Sequence, residues 1–233
     1  MSPRDPIIKL TVGAVPEILQ VHKGLLCKSS EFFKRAMKSE WAGLRGEPDT
    51  IDLSGDCTET VLLYVQWLYT KEIQLQVSVP NGCSDAKRSA AAEKMYIPLS
   101  TAYVFGEKIM DISFKNAIVS KVVDTYSVVN WSPGPVPATV VYEGTTAGSP
   151  MRRLLSYLVA FYGTNHPSWI SYFNGYPREL LVDALTAMST VRCVMPGHGY
   201  HGLPADYLER EDGKVSFRCD TSDQPTKCLK VTR

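Results

Sequence analysis

The run Val61 to Tyr69, VLLYVQWLY, constrains the chain more than any other stretch, because Val61, Leu62, Val65, Trp67, Leu68 and Tyr69 leave a helix almost without a polar side. A surface helix keeps one face solvated, so this one is expected at the centre of a fold. Asp56, with Glu59 three residues on, suits a capping box that starts the helix near Thr58 and orients a short strand, Ile51 to Leu53, ahead of it. About five such side chains, fully buried at roughly 1.5 to 3 kcal/mol each, would anchor a core.

The preceding stretch has the opposite character. Leu26, Phe33 and Met37 recur at helical spacing among Lys28, Lys34, Arg35 and Lys38, so one face is apolar and the other solvated. Ser30 can cap a helix whose first turn holds Glu31. Upstream, Ile8 to Val12 and Glu17 to Val21 are short apolar segments separated by Gly13 and Pro16, the pattern of a hairpin. His22 follows at a strand-to-helix junction. It could be catalytic, a pH switch or a structural residue, and the structural reading is favoured because no nucleophile or carboxylate stands near it in the sequence.

A strand ending in VG, then VHKGLLCKSSEFF, a variable loop, IDL, an aspartate and a helix ending in YVQWLYT resemble a BTB/POZ domain of the kind common in filamentous fungi. The likeness runs from about residue 7 to 126, and YEGTTAGSPMRRLL resembles the segment after that domain in fungal members. The resemblance implies an α+β class, a small sheet flanked by helices with a helical carboxy-terminal extension. It also implies protein partners: a homodimer, a cullin-type ubiquitin ligase scaffold, or both. Family dimers use the first strand and helix, which here places the interface at Ile7, Ile8, Leu10 and Leu25. They often carry an acid just before that strand, where this chain has Ile7, with Asp5 two residues away. Cullin recruitment in related adaptors uses an apolar residue, any residue, then glutamate, and the matching positions are Trp41, Ala42 and Gly43. The tryptophan suits a hot spot, and covering a helix end is an equal use for it. Glycine in place of the acid removes a charge-assisted hydrogen bond of roughly 1.5 to 3 kcal/mol.

The rest of the chain divides by composition. The BTB-like region is expected to span residues 1–127, with an insertion loop over 76–94 that is polar and carries Pro80, Asn81 and Gly82. Lys87 and Arg88 there read as solvated, and Ser84 or Ser89 as modification sites if the loop is regulatory. Leu99, Ala102, Gly106 and Ile109 define one helix face; Phe114, Ile118, Val122 and Tyr126 define a second, capped by Asp111 or Ser113. Gly106 is expected to admit close helix contact. Pro133, Gly134, Pro135 and Pro137 mark residues 128–137 as a linker. A helical extension over 138–192 follows, with one helix opened by Ser149 and Pro150 and closed by Gly163. Its second helix starts at Pro177 and is expected to bury Leu181, Ala184, Leu185 and Met188, with Trp169, Tyr172 and Phe173 between the two. Residues 193–233 read as a peripheral tail, with a helical turn over 206–210 and a short strand over 215–218.

Totals exclude several functions. With 25 basic and 24 acidic residues, the net charge of +1 gathers no phosphates, so nucleic acid is not an expected partner. Neither an apolar signal core nor a run of 18 apolar residues occurs, so no membrane role and a cytoplasmic or nuclear location are expected. Six scattered cysteines without CxxC favour reduced thiols. GHGYHG at 197–202 fits a dinucleotide loop, but Pro196 and Pro204 deny it the flanking strand and helix. Cys193, His198, His201, Cys219 and Cys228 are soft ligands that zinc would accept, though the thiols stand alone. No cofactor or metal is assigned. Without GxSxG, HExxH or a cysteine with a credible base, no enzyme activity is expected. A scaffold or transcription-associated oligomerisation protein without a ubiquitin link is the alternative to an adaptor, since no kelch, MATH or zinc-finger module follows Pro137.

Overall fold

The computed structural model of the chain describes residues 4–43, 45–76, 79, 82, 84–162, 169–190 and 208–209. It is α+β: a small three-stranded mixed sheet with about ten helices. Strand β1 (Ile7–Val12) pairs antiparallel with β2 (Glu17–His22), from Ile7 opposite His22 to Val12 opposite Glu17. Gly13 turns the hairpin at φ 81°, and a Cβ there would stand 2.6 Å from Thr58 Oγ1, so only glycine fits. β1 also pairs parallel with β3 (Thr50–Leu53), which makes it the central strand, in the order β2-β1-β3. Alternation follows: Ile8, Leu10 and Val12 are fully buried while Ile7 and Lys9 face out.

Helices α1 (Lys23–Ser29), α2 (Glu31–Ala36) and α3 (Ser39–Ala42) lie between β2 and β3. Leu26, Phe33 and Met37 are buried, as their spacing predicts, and Ser30 Oγ accepts from Phe33 N–H to cap α2. α4 (Thr58–Thr70) buries Val61, Leu63, Tyr64, Trp67 and Leu68. Leu62 and Tyr69 remain exposed, so one side meets solvent after all. The expected capping box is absent: Cys57 occupies the cap position without accepting from a backbone N–H of the helix, its Sγ instead donating to Glu59 Oε2 at 2.9 Å, and Asp56 pairs with Lys108 Nζ at 2.7 Å. Tyr69 OH meets His22 Nδ1 at 2.7 Å, which ties the start of α1 to the end of α4.

The expected 76–94 loop is shorter than its polarity suggests, because α5 (Asp85–Lys108) begins inside it and contains Pro98. Ser89 lies on that helix and bonds Tyr172 OH at 2.9 Å. α6 (Ile112–Val129) is capped by Asp111, whose carboxylate accepts from Phe114 N–H at 2.9 Å. The expected linker 128–137 is helical at both ends. α6 runs to Val129, Asn130 closes it at φ 47°, and α7 (Pro135–Gly144) starts on a proline, which lacks the N–H that the first turn leaves unused. α7 packs on α5, and α8 (Pro150–Tyr162) on α10 (Arg178–Thr190), with the short α9 (Trp169–Phe173) between them in the chain. α10 is rotated from its expected face: Leu180 and Ala184 are buried against its neighbours, while Leu185 and Met188 are 66% and 45% exposed. One apolar cluster runs from the sheet through α4, α5 and α6 into α7, α8 and α10. Among the described residues no helix is long and apolar enough to cross a membrane.

Candidate functional site

An apolar concavity forms where α2 meets the turn between α5 and α6. Ser30 Oγ, besides capping α2, donates to the Ile109 carbonyl, and Phe32 N–H reaches the same oxygen at 3.3 Å. These bonds pin the start of α2 to the α5–α6 turn. Phe33 then points into the core, and its neighbour Phe32 is half-buried at the core's edge, with part of its side chain lining the groove. Met110, the next residue of that turn, sits at φ 54°, an uncommon conformation for a side chain of its size, and its side chain is 40% exposed.

α3 provides the opposite wall. Trp41 is 60% exposed, far more than so large an apolar side chain ordinarily is. The loop beyond is held by Arg45, whose guanidinium donates to the Ala36 carbonyl at 2.6 Å and the Thr50 carbonyl at 3.2 Å, while its buried Nε has no partner. Phe32, Arg35, Ala36, Trp41, Arg45 and Met110 together line an open groove of about 500 Å³. Its lining holds two guanidiniums and no acid, hydroxyl, thiol or imidazole. Such a surface can bind an apolar side chain and favour a nearby carboxylate; it has no group to carry a proton or attack a carbonyl.

Of the expected contact residues, Trp41 lines this groove, with Ala42 half-buried beside it and Gly43 exposed as the residue closing α3. Gly43 has an ordinary φ of −68°, and a Cβ there would approach only the Ser39 carbonyl, at 3.3 Å. A side chain at 43 therefore requires little movement.

The expected dimer surface separates into two parts. Ile8 and Leu10 are fully buried under the sheet and cannot present side chains to a second copy; alternation along a central strand turns them inward. Ile7 is exposed and Leu25 half-buried, so both remain on the surface. Asp5 is used within the chain, accepting the Gly24 N–H at the start of α1 at 2.8 Å.

No protein-family model matches the chain, and no curated protein is similar to it.

Cys193, His198, His201, Cys219, Cys228 and the GHGYHG segment lie outside the described residues. Among the described residues no group of three or more His, Cys, Asp or Glu could hold a metal ion. Cys27 is half-buried, and burial raises its thiol pKa above the usual value, which makes it a poorer nucleophile near neutral pH. Sequence reasoning found Trp41 but missed Phe32, Arg35, Arg45 and Met110. The doublet Phe32-Phe33 was the available signal for Phe32, because adjacent positions on a helix lie about 100° apart and two aromatics there cannot be equally buried on one face. Met110 had none, since its place in the groove depends on the turn conformation.

Proposed function

We propose that the chain is a BTB/POZ-type protein-interaction module, not an enzyme, and that the Trp41 groove is where it takes a partner. The observation that carries this reading is the open apolar groove whose wall is a mostly exposed tryptophan and whose rim holds Arg35 and Arg45. A helical segment presenting an apolar anchor with a carboxylate one turn away fits that chemistry, with the anchor on Phe32, Ala36 and Met110. The partner proposed is the amino-terminal domain of a cullin-type scaffold, for which the chain acts as adaptor.

Calorimetric titration of the intact chain with that cullin domain tests the reading. Native protein is expected to bind, and Trp41→Ala to weaken binding by about 2 kcal/mol or more, roughly thirtyfold. Gly43→Glu is expected to strengthen it by about tenfold to a hundredfold through the added carboxylate. Binding unaffected by Trp41→Ala would remove the groove from the account.

A second reading, a scaffold or oligomerisation protein without a ubiquitin link, is favoured by the glycine at 43. No binding by the native chain, together with binding gained on Gly43→Glu, would select it. Homodimerisation would then use the exposed edge strands β2 and β3 and the Ile7 surface, since β1 has no free edge.

A further inference from the structure

Near the start of α6, Asn116 holds a piece of chain from the other end of the sequence. Its Nδ2 donates to the Glu209 carbonyl at 2.8 Å, and its Oδ1 accepts the Glu209 N–H at 2.8 Å. A carboxamide that serves both main-chain groups of one residue offers what a neighbouring strand would offer. The preceding residue, Lys115, has a side chain only 5% exposed and pairs with Glu107 at 3.0 Å. It also pairs with the Glu209 carboxylate, which meets the ammonium as an ion contact without hydrogen-bond alignment. Leu208 lies against the apolar core. These two residues are not the helical turn expected over 206–210.

The charge arrangement lowers the cost of opening this contact. A buried ammonium stripped of its only carboxylate is strongly disfavoured, but Lys115 keeps Glu107 when Glu209 leaves. Two carboxylates on one ammonium also leave an excess negative charge that departure of Glu209 relieves. Asn116 is half-buried and can turn to water. Detachment therefore leaves neither an unpaired buried ion nor an orphaned backbone group on α6.

We propose that the Lys115–Asn116 face is a recognition site for an extended peptide carrying an apolar residue followed by glutamate, and that Leu208–Glu209 fills it in cis as a releasable latch. Asn116 selects extended backbone, Lys115 selects the acid, and the neighbouring apolar surface selects the preceding side chain. The site shares no lining residue with the Trp41 groove.

The test uses the full chain with its own latch opened by Leu208→Asp and Glu209→Lys, and a fluorescent synthetic peptide of residues 204–213. Fluorescence anisotropy is expected to show the peptide binding the opened chain at least about tenfold tighter than native chain, where the tethered tail competes at high effective concentration. A peptide carrying Glu209→Lys, or an opened chain also carrying Asn116→Ala, should lose that binding. In otherwise native protein, Asn116→Ala should speed trypsin cleavage after Arg210 by about tenfold, the loss of one or two hydrogen bonds. No peptide binding to the opened chain, binding indifferent to Asn116→Ala, or an unchanged cleavage rate would each overturn the proposal.

Discussion

Asp111 is fully buried and yet carries a carboxylate, and three donors converge on it: Ser29 Oγ, Tyr64 OH at 2.9 Å and Phe114 N–H at 2.9 Å. It joins α1, α4 and α6 through one side chain. Asp111→Ala would orphan all three donors and remove the cap of α6, so urea unfolding is expected to show a loss of about 3 to 5 kcal/mol. Tyr64→Phe removes a single donor and should cost about 1 kcal/mol; equal losses from the two variants would mean that Asp111 is not the junction. The capping role was legible, because an aspartate directly ahead of an apolar helix has few other uses. Its other partners were not, since Ser29 stands 82 residues away and Tyr64 47, and nothing local encodes such a meeting. Asp56 shows the reverse: its local spacing fitted a cap, and a distant lysine took it instead.

Between elements, close approach decides the geometry. A Cβ at Gly106 would stand 2.8 Å from Lys115 Cγ and 3.2 Å from Phe114 Cδ1, so α5 and α6 touch through the space a methyl would fill. Alanine gains about 1 kcal/mol in helix propensity but must displace a lysine stem held by ion pairs, an overpacking cost of roughly 1 to 3 kcal/mol. Gly106→Ala is therefore expected to lower stability by about 1 kcal/mol, and Gly106→Val by more; a rise in thermal midpoint for alanine would show that α6 yields. Helix identity and the faces of α5 and α6 were readable from periodicity, because both helices bury one broad stripe. The face of α10 was not, since Leu180, Leu181, Ala184 and Leu185 give two adjacent stripes and only contact with α8 chooses between them. Prolines misled at residues 128–137 for a related reason: composition cannot distinguish a proline that breaks a helix from one that begins it.

At the scale of the whole molecule, the apolar cluster crosses the boundary that composition placed near residue 127, and tyrosines are set throughout it. Burial raises the phenol pKa of Tyr64, Tyr96, Tyr103, Tyr142 and Tyr176, with the nearby Asp111 carboxylate adding to the effect at Tyr64. Half-buried Tyr126 is pushed up to about 12. A phenol whose folded pKa lies above its unfolded value stabilises the fold fully below about pH 10, and that contribution is lost as pH rises from there through the folded value. Alkaline titration should thus show unfolding between about pH 10 and 12, with tyrosinate absorbance and loss of helical circular dichroism rising together. Tyrosinate appearing well before the helices melt would contradict the burial. The groove was less legible than the fold, because its floor, wall and rim come from four separate segments and only Trp41 announced itself by its place in a motif.

The position of β1 in the sheet has a consequence for how the chain is made. Its antiparallel partner follows at once, but its parallel partner is separated from it by residues 13–49, so during synthesis β1 is flanked on both sides only once residue 53 has emerged after it. At roughly 5 to 20 residues per second, that is a wait of roughly 2 to 8 s. A two-stranded hairpin is marginal by itself in water. For those seconds β1 keeps one edge of unpaired N–H and C=O groups, and the parallel pairing with β3 is the step that closes it.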